Sequence, residues 1–381
     1  MVRKKLKLLD NALKLILPIS ALSGEIKRQI FGNKIFNKKI NVGIIKLSAF
    51  GDVIKVSDAL SNCIKFHDQY DIKLITTERS NPKFFKDVCI IDSVLVFSPL
   101  GLVLLWLKNL FWSKFDYIID LDQSYKISEC IALTNRNGSS FLTPKKGKWS
   151  FKNVTYDPQG QETDNFENLI CVSLGIENSK NGIDALKINF NEMPKILEDN
   201  IINFSNIIAI YPGSSTNAIF RRWPIENYAL LCKELKKYYN IIIIGGPDEV
   251  NLVPYFENAG LGKHLFINKF SLQQWAYIFK YHVSLFIGND AGLLHLADSQ
   301  RTKCFGIYGP NIFEKWGAST FGSKGFWHDV SCRPCILSGH GIVPDNCARG
   351  VPECVTKVKI KKLLDFTIKE MEENAFVIKK N

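Results

Sequence analysis

The chain has 381 residues, of which 46% are hydrophobic and 23% charged, and its formal net charge is +12. This length and composition exclude a largely disordered polypeptide and predict a globular protein of about two domains. The charge is uneven, because residues 1–40 hold ten Lys or Arg against Asp10 and Glu25 and so carry +8 of the total. The basic character is mostly a property of this N-terminal segment.

The N-terminal segment, residues 1–40, has the spacing of an amphipathic helix up to Pro18, which interrupts the pattern. Its apolar side holds Leu6, Leu9, Leu13 and Ile16, and its opposite side holds Lys4, Lys7, Asn11 and Lys14. This pattern is typical of a helix on an anionic membrane surface, and equally of a basic helix packed on its own domain. A signal peptide is disfavoured, because charged residues intrude into a short apolar stretch.

The most apolar stretch of the chain, residues 94–107, is only 14 residues long and contains Ser98, Pro99 and Gly101. It is too short to cross a bilayer and predicts a strand, a turn and a buried or interfacial helix. The sequence therefore predicts a protein that is soluble or attached to a membrane surface.

The ten cysteines fall into two groups. Six are scattered among apolar neighbours and read as small core residues of a reduced compartment. The other four, Cys332, Cys335, Cys347 and Cys354, have the spacing C-x2-C-x11-C-x6-C in a loop rich in glycine and proline. This spacing resembles a structural zinc site, while disulfides and free thiols are the alternatives.

Short apolar runs alternate with amphipathic segments after residue 40, which predicts parallel sheets and an α/β fold. Predicted strands at 42–47, 72–77, 93–97 and 117–121 are separated by helices near 52–66, 100–113 and 124–134, and a loop at 136–160 precedes a helix at 162–174. A second series of strands lies at 207–211, 241–246, 283–288 and 304–309, and a terminal helix at 356–374. We expect a basic segment (1–40), two doubly wound domains (41–195 and 205–355) and a C-terminal helix (356–381).

In open α/β sheets ligands bind beyond the carboxyl ends of the strands, so the residues after each strand are candidates. The first strand is followed by Ser48 to Asp52, where Gly51 allows a tight turn. Asp52 begins the next helix, whose dipole favours an ionised carboxylate. By itself such an aspartate is usually only a helix cap.

A second candidate follows the strand at 207–211, where Gly213, Ser214 and Ser215 offer hydrogen-bond donors. Arg221 and Arg222 add positive charge before the next helix. Together these residues predict an anion-binding loop. A loop with solvated arginines is the alternative.

Two more strand ends carry candidates. Glu249 lies near a helix start, where it could accept hydrogen bonds from a ribose diol or simply cap its helix. Asp290 ends the strand at 283–288, and Ala291 and Gly292 allow backbone amides to approach a ligand. His295 lies one turn further along, either supporting the same site or buried as a structural histidine.

Five stretches in order resemble glycosyltransferase family 9, the bacterial heptosyltransferases of lipopolysaccharide assembly: IIKLSAFGDVIKVSDAL, YPGSS with RRWPIENYALL, IIIIGGPDE, GNDAGLLHLA and FGIYGP. The resemblance implies a GT-B fold, in which two Rossmann-like domains face a cleft, the acceptor binds the N-terminal half and the nucleotide sugar binds the C-terminal half. In the family's D-T-G motif the threonine is replaced here by Ala291.

The resemblance also implies roles for individual residues. Asp52 matches the general base, and we expect the acceptor to contact Ser48, Gly51 and Lys126. The residues expected to bind the donor are Ser214, Ser215 and Arg221 at the diphosphate, Glu249 at the ribose, Asp290 and Gly292 at the sugar and phosphate, and Arg222, Ala291 and His295 beside them.

The implied activity is inverting transfer of heptose from ADP-heptose to the inner core of lipopolysaccharide, without cofactor or divalent metal, by a cytoplasmic protein at the inner membrane surface. Asp120 and Asp122 form the only D-x-D motif, which is read as capping or acceptor contact rather than a metal site. Lysines of the loop at 145–152 fit an anionic lipid-linked acceptor: Lys145, Lys146, Lys148 and Lys152.

Other classes fit less well. A transferase with a hexose or N-acetylhexosamine donor is the close alternative, because it would use the same site. The pI of 9.1 permits a nucleic-acid-binding protein, but the charge is concentrated at one end without interleaved aromatic residues. A dinucleotide oxidoreductase and a P-loop enzyme lack their glycine motifs.

Overall fold

The computed structural model describes residues 6, 10, 13–32, 38–144, 146–178, 184–190, 206–337 and 344–378. The chain divides into two compact units, the first comprising Met1–Asn189 with Leu337–Ile342 and the second Phe190–Ile336 with Val343–Asn381. Each unit is built on its own six-stranded sheet, so the protein has the α/β fold that the alternation of elements predicts.

In the first unit all six strands are parallel, in the order β3-β2-β1-β4-β5-β6. The central strands β1 and β4 are buried and apolar, as expected for parallel strands covered on both faces. The strand bounds are β1 Ile40–Ile45, β2 Tyr70–Thr76, β3 Ser93–Val96, β4 Tyr117–Asp120, β5 Gly138–Leu142 and β6 Lys152–Thr155.

The helices of the first unit flank this sheet. The helix after β1 packs against the last helix of the unit, while three others pack on one another. The helix bounds are α1 Leu17–Phe31, α2 Phe50–Cys63, α3 Pro82–Phe85, α4 Pro99–Phe111, α5 Lys126–Leu133 and α6 Glu162–Leu174. The strand order reverses between β1 and β4, and ligands of doubly wound sheets bind at such a reversal. The segments after β1 and β4 therefore hold the place of a site.

The second unit repeats this plan with the strand order β12-β11-β10-β7-β8-β9, so its reversal lies between β7 and β10. Its strands are β7 Ile207–Tyr211, β8 Asn240–Gly245, β9 Leu265–Ile267, β10 Val283–Asn289, β11 Lys303–Ile307 and β12 Lys324–Phe326. Its helices are α7 Ile225–Leu235, α8 Val253–Asn258, α9 Leu272–Tyr281, α10 Gly292–Ser299, α11 Phe313–Trp316, α12 Glu353–Thr356 and α13 Ile360–Ile378.

The predicted strands are confirmed to within about two residues, but the predicted loop at 136–160 is wrong. This segment forms β5 and β6, which complete the first sheet at one edge. β5 escapes a hydrophobicity-based reading because it is small and polar, with Ser139 and Ser140 at its centre. The two serines are buried, and their hydroxyls bond to Ser150 and to Ser173, which lies 34 residues from Ser139.

The N-terminal segment packs on the first unit. A 3-10 turn at Lys14–Ile16 comes directly before α1, and Pro18 lies in the first turn of α1, where a missing amide hydrogen is harmless. Leu6 and Leu13 are buried in the core of the first unit, so this apolar side packs on its own domain. Leu9, Lys4, Lys7 and Asn11 lie outside the described residues.

Among the helices that the structure describes, none is both long and apolar enough to span a bilayer. The apolar stretch at 94–107 forms β3, a turn and most of α4 instead. Ser98 accepts a hydrogen bond from the amide of Gly101 and so caps α4, which explains why a helix begins within an apolar run.

Helix α1 packs closely against the end of α5 at Gly24. A Cβ atom at position 24 would lie 2.2 Å from the carbonyl oxygen of Leu133, a backbone atom that cannot rotate away. We expect Gly24→Ala to lower the free energy of unfolding by about 1–3 kcal/mol. Exposed Gln29 in the same helix is the control, because Gln29→Ala should change stability by less than about 0.5 kcal/mol. A stabilised Gly24→Ala variant in chemical denaturation would contradict the close contact.

Candidate active site

Asp52 lies in the first turn of α2, directly beyond the carboxyl end of β1. Its side chain is 31% exposed, and a carboxylate oxygen lies 3.5 Å from Nζ of Lys46. Gly51 precedes it within the helix and is not among the glycines with positive φ, so the predicted tight turn at Gly51 is wrong. Ser48 is partly exposed in the connection before α2. A carboxylate is thus presented to solvent with an ammonium group behind it.

Lys46 is held beneath Asp52 by a chain of hydrogen bonds. Its ammonium donates to Oε1 of Gln123 at 2.8 Å, and Gln123 in turn donates to Glu162. Tyr156 donates from its hydroxyl to the second oxygen of Glu162 at 2.7 Å. Because Lys46 is only 2% exposed, this chain fixes a buried positive charge next to Asp52.

The surroundings of Asp52 adjust its basicity. Burial raises the pKa of the Asp52 carboxyl above its ordinary value, while the Lys46 ammonium acts to lower it and Glu162 and Asp122 act to raise it further. A general base works best when its pKa lies near the pH of the reaction. The raised pKa therefore makes Asp52 a stronger base than a solvated aspartate.

Asp120 and Asp122 are occupied by the fold itself. Asp120 is fully buried and accepts a hydrogen bond from Nζ of Lys146 at 2.6 Å, and burial raises its pKa to about 6. Asp122 accepts from the backbone amides of Leu47 and Ser124, which ties the ends of β1 and β4 together. The two aspartates of this motif therefore hold the ends of strands and the buried Lys146 in place.

Two predicted acceptor-side lysines are also engaged in the fold. Lys126 begins α5 and pairs with Glu129 at 3.0 Å, and its backbone amide donates to Asp10. Lys152 donates to the carbonyl oxygens of Val172 and Ser173 at the end of α6. Lys146 is buried and Lys145 lies outside the described residues, so Lys148 is the exposed lysine of this loop.

In the second unit the loop after β7 folds around Ser214. The Ser214 hydroxyl accepts from Nε of Arg222 at 3.0 Å, and Nη2 of Arg222 donates to the Ser214 carbonyl at 2.6 Å. Ser215 is exposed on the same loop. Arg222 therefore shapes the loop from within.

Glu249 caps its own helical turn. Its Oε2 accepts from the amide of Gly246 at 2.9 Å, and the Glu249 amide donates back to the Gly246 carbonyl. The other oxygen lies 3.5 Å from the Tyr211 hydroxyl and 3.6 Å from Arg222. Burial raises the pKa of Glu249. The capping role that sequence analysis left open is the one the structure supports.

Arg221 and Asp290 meet at the end of β10. Nη1 of Arg221 lies 3.9 Å from Oδ2 of Asp290, which also accepts from the amide of Asn311 at 2.9 Å. Nε2 of His295 lies 3.7 Å from the other Asp290 oxygen, so buried His295 backs the carboxylate. Nε of Arg221 is buried and finds no hydrogen-bond partner among the described residues. A bound anion would supply the partner that this nitrogen lacks.

Helix α10 begins beside Asp290 and offers backbone donors. Ala291 is its N-cap, and no side chain within the described parts of the chain caps it. The amide hydrogens of a first helical turn have no partner inside the helix, and the helix dipole favours negative charge there. Gly292 at the first position is partly exposed and adds no side chain that would keep a phosphate away.

Asn289 supports the site, although no sequence pattern predicted this role. Its fully buried amide donates to the carbonyls of Pro212 and Gly213, both at 2.9 Å. Its oxygen accepts from the Trp223 amide and the Tyr228 hydroxyl, again at 2.9 Å. Asn289 thereby joins the end of β10 to the loop after β7. Only its place between a strand and Asp290 could have suggested this role.

The four clustered cysteines line one pocket together with Arg333 and Phe220. All four are free thiols, and burial raises the pKa of Cys354 to about 11. Across the described residues no three His, Cys, Asp or Glu side chains are arranged to hold a metal ion. Four thiols around one pocket are donors that zinc prefers, and a structural zinc ion stays a prediction.

Solved structures of similar fold include glycosyltransferases. The glycosyl transferase family 9 protein of Veillonella parvula DSM 2008 has 17% identity and a TM-score of 0.66, with 90% of this chain and 100% of that chain covered. E. coli ADP-heptose LPS heptosyltransferase II has 13% identity and a TM-score of 0.66, with 88% of this chain and 100% of that chain covered. E. coli heptosyltransferase WaaC with ADP has 15% identity and a TM-score of 0.61, with 87% of this chain and 100% of that chain covered. A search of curated protein sequences finds no match.

Two α/β units, each built on a six-stranded parallel sheet, have the GT-B fold of these glycosyltransferases. The sequence profile of glycosyltransferase family 9 (heptosyltransferase) matches residues 106–340, more than half of the chain. The chain therefore belongs to glycosyltransferase family 9.

Asn289 can be tested by variants of graded severity. Asn289→Ala should lower the free energy of unfolding by about 2–4 kcal/mol, because it leaves buried carbonyl, amide and hydroxyl groups without partners. Tyr228→Phe removes one of the same hydrogen bonds and should lower it by about 1 kcal/mol. Thermal and chemical unfolding measure both variants. Equal, small effects would show that Asn289 does not join the two loops.

Proposed function

We propose that this glycosyltransferase moves a heptose from ADP-heptose to the inner core of a lipopolysaccharide or lipooligosaccharide, with inversion at the anomeric carbon. The observation that carries the proposal is the edge formed by Arg221, Asp290 and the start of α10, where a buried guanidinium nitrogen lacks a partner. A nucleoside diphosphate sugar supplies the anion that such an edge binds. The heptosyltransferases of similar fold support the choice of sugar.

In the proposed reaction Asp52 accepts the proton of an acceptor hydroxyl. The hydroxyl oxygen forms a bond to the anomeric carbon on the side opposite to the diphosphate, and the bond between that carbon and the diphosphate oxygen breaks. Arg221 and the amides of Gly292 and its neighbours stabilise the charge of the departing ADP. Lys46 stays protonated behind Asp52 and keeps the carboxylate oriented.

The proposed reaction needs no divalent metal, because the guanidinium of Arg221 and the N-terminus of α10 offset the charge of the diphosphate. In this proposal Asp120 and Asp122 are not metal ligands, since their oxygens are already bound by Lys146 and by backbone amides. Arg222 has a different part in the proposal. It binds buried Ser214 and so holds the loop that presents the exposed Ser215 to the donor.

The proposed acceptor is an anionic saccharide linked to lipid at the cytoplasmic face of the inner membrane. Ser48 and Gly51 flank the base, and Lys148 is exposed on the loop before β6. Lys126 is engaged with Glu129, so it would contact the acceptor only through its remaining donors. Phosphate groups of an inner-core saccharide suit such a basic surrounding.

One residue favours a second candidate function. Ala291 stands where the family has threonine, so a hydroxyl contact to the donor is missing. A related transferase with a hexose or N-acetylhexosamine donor could use the same residues. Turnover measured with ADP-sugars against UDP-sugars separates the two candidates.

Replacing Asp52 tests the assigned base. Asp52→Asn should lower kcat by about 10² to 10⁴ and remove the acidic limb of the pH profile of kcat/KM, because the titrating group is lost. That limb should lie above the ordinary range of aspartate, since burial raises the pKa of Asp52. Asp164→Asn is a matched control, because Asp164 is an exposed residue in the first turn of α6. Near wild-type turnover of Asp52→Asn would reject this role.

The two adjacent arginines should respond differently to replacement. Arg221→Gln should lower kcat/KM for the donor by about 10² with an unchanged melting temperature, because it removes a charged contact to the diphosphate. Arg222→Gln should lower the melting temperature, because Ser214 and its loop lose their support.

The metal requirement is tested by measuring the turnover of the wild-type protein and of both variants with a chelator present. Loss of wild-type activity in the chelator would contradict the metal-free reaction.

A further inference from the structure

Helix α1 is apolar on two opposite faces. Its inner face buries Leu17 and Gly24 against the first unit. Its outer face, continued by the 3-10 turn before it, carries five apolar side chains that are 46% to 83% exposed and recur every three or four residues: Leu15, Ile19, Leu22, Ile26 and Ile30. Such spacing places them in one stripe along the helix, opposite to the buried face. This stripe is not the apolar side that the N-terminal pattern singled out.

Helix α4 is also apolar on two opposite faces. Leu102 and Trp106 are buried, while an outer stripe of four residues is 42% to 85% exposed: Leu100, Leu104, Leu107 and Phe111. Trp112 follows the helix and is 64% exposed. Single exposed apolar residues are ordinary, but a run over three turns of a helix is not.

The two helices lie side by side on one hydrophobic core. Trp106 of α4 donates to the Ser20 hydroxyl of α1 at 2.9 Å, and Ser23 of α1 donates to the carbonyl of Leu110 at 2.7 Å. Leu17 and Leu102 belong to the same buried cluster. Because both helices turn their inner faces to this core, their outer stripes lie on the same side of the unit. We call these stripes, with Trp112, the outer-helix surface.

Charge decides what would cover the outer-helix surface. The segments 13–32 and 98–114 contain five Lys or Arg and one acidic residue, Glu25, which pairs with Arg28 at 2.8 Å. Lys14, Lys108 and Lys114 are exposed. A second copy of the chain would bring like charges together, whereas anionic lipid headgroups complement them. Phe111 and Trp112 at one end suit the boundary between headgroups and acyl chains.

We propose that the outer-helix surface binds an anionic lipid bilayer, with the apolar stripes of α1 and α4 entering the headgroup boundary and lysines at its edges contacting phosphates. The proposal rests on the proposed function in one respect, which is that the acceptor is linked to lipid in the same membrane. The lipid contact itself follows from the stripes and the charge.

The test is sedimentation of the full-length protein with vesicles of phosphatidylethanolamine and phosphatidylglycerol. A variant carrying Ile19→Gln, Leu22→Gln, Leu104→Gln and Leu107→Gln should bind these vesicles at least about tenfold more weakly, because it removes apolar side chains that enter the bilayer. All four positions are exposed, so its melting temperature should stay at the wild-type value. The matched control is Val172→Gln with Leu230→Gln and Val250→Gln, exposed apolar residues elsewhere that should not affect binding.

A second variant separates charge from apolar contact. Lys108→Glu with Lys114→Glu should weaken binding to the anionic vesicles and leave the weaker binding to phosphatidylcholine vesicles unchanged. Wild-type vesicle binding by both variants would overturn the proposal. It would also be overturned if the Gln variant changed only the oligomeric state in light scattering, since the surface would then join copies of the chain.

Activity on a water-soluble, deacylated acceptor distinguishes this proposal from the proposed function. The Gln variant should keep wild-type turnover on that acceptor and lose turnover on the same acceptor presented in vesicles. If the wild-type protein bound vesicles through this surface but transferred heptose to neither acceptor, the proposed function would fail and the lipid contact would stand.

Discussion

Both candidate sites depend on one constraint, which is that buried parallel strands bring their polar end residues to the same edge of a sheet. Asp52 follows β1 at the strand reversal of the first sheet. Asp290 follows β10 at the reversal of the second sheet, where Asn289 fixes the neighbouring loop through four hydrogen bonds. The apolar strands give each site a rigid support, and the segments beyond them supply the chemistry.

The charged residues near the sites divide into those used by the fold and those left for ligands. Lys146 pairs with Asp120, so removing either would leave a buried charge without its partner, and Asp122 accepts from backbone amides. Asp52 keeps part of its carboxylate exposed above Lys46. Arg221 keeps a buried nitrogen for which the described residues supply no partner. This division separates the two arginines, which are indistinguishable as neighbours in the sequence.

Helix α1 links the basic N-terminus to the rest of the first unit. One apolar face holds it on the core through Leu17, and the other carries the outer stripe beside that of α4. A helix with a single apolar face could pack on its own domain or on a membrane, but not on both. The two faces allow α1 to serve the core and, in our proposal, a bilayer at once.

The sequence by itself determined the α/β fold, most strand positions and the candidate residues after each strand, because apolar periodicity and glycine-rich strand ends are local signals. It could not predict β5 and β6, because β5 is small and polar at its centre and its buried Ser139 bonds to Ser173, which is 34 residues away. It could not decide whether Glu249 caps its turn, or which arginine binds Ser214. Only the tertiary structure decided these points, since the role of a polar side chain depends on which donors and acceptors the fold brings within reach.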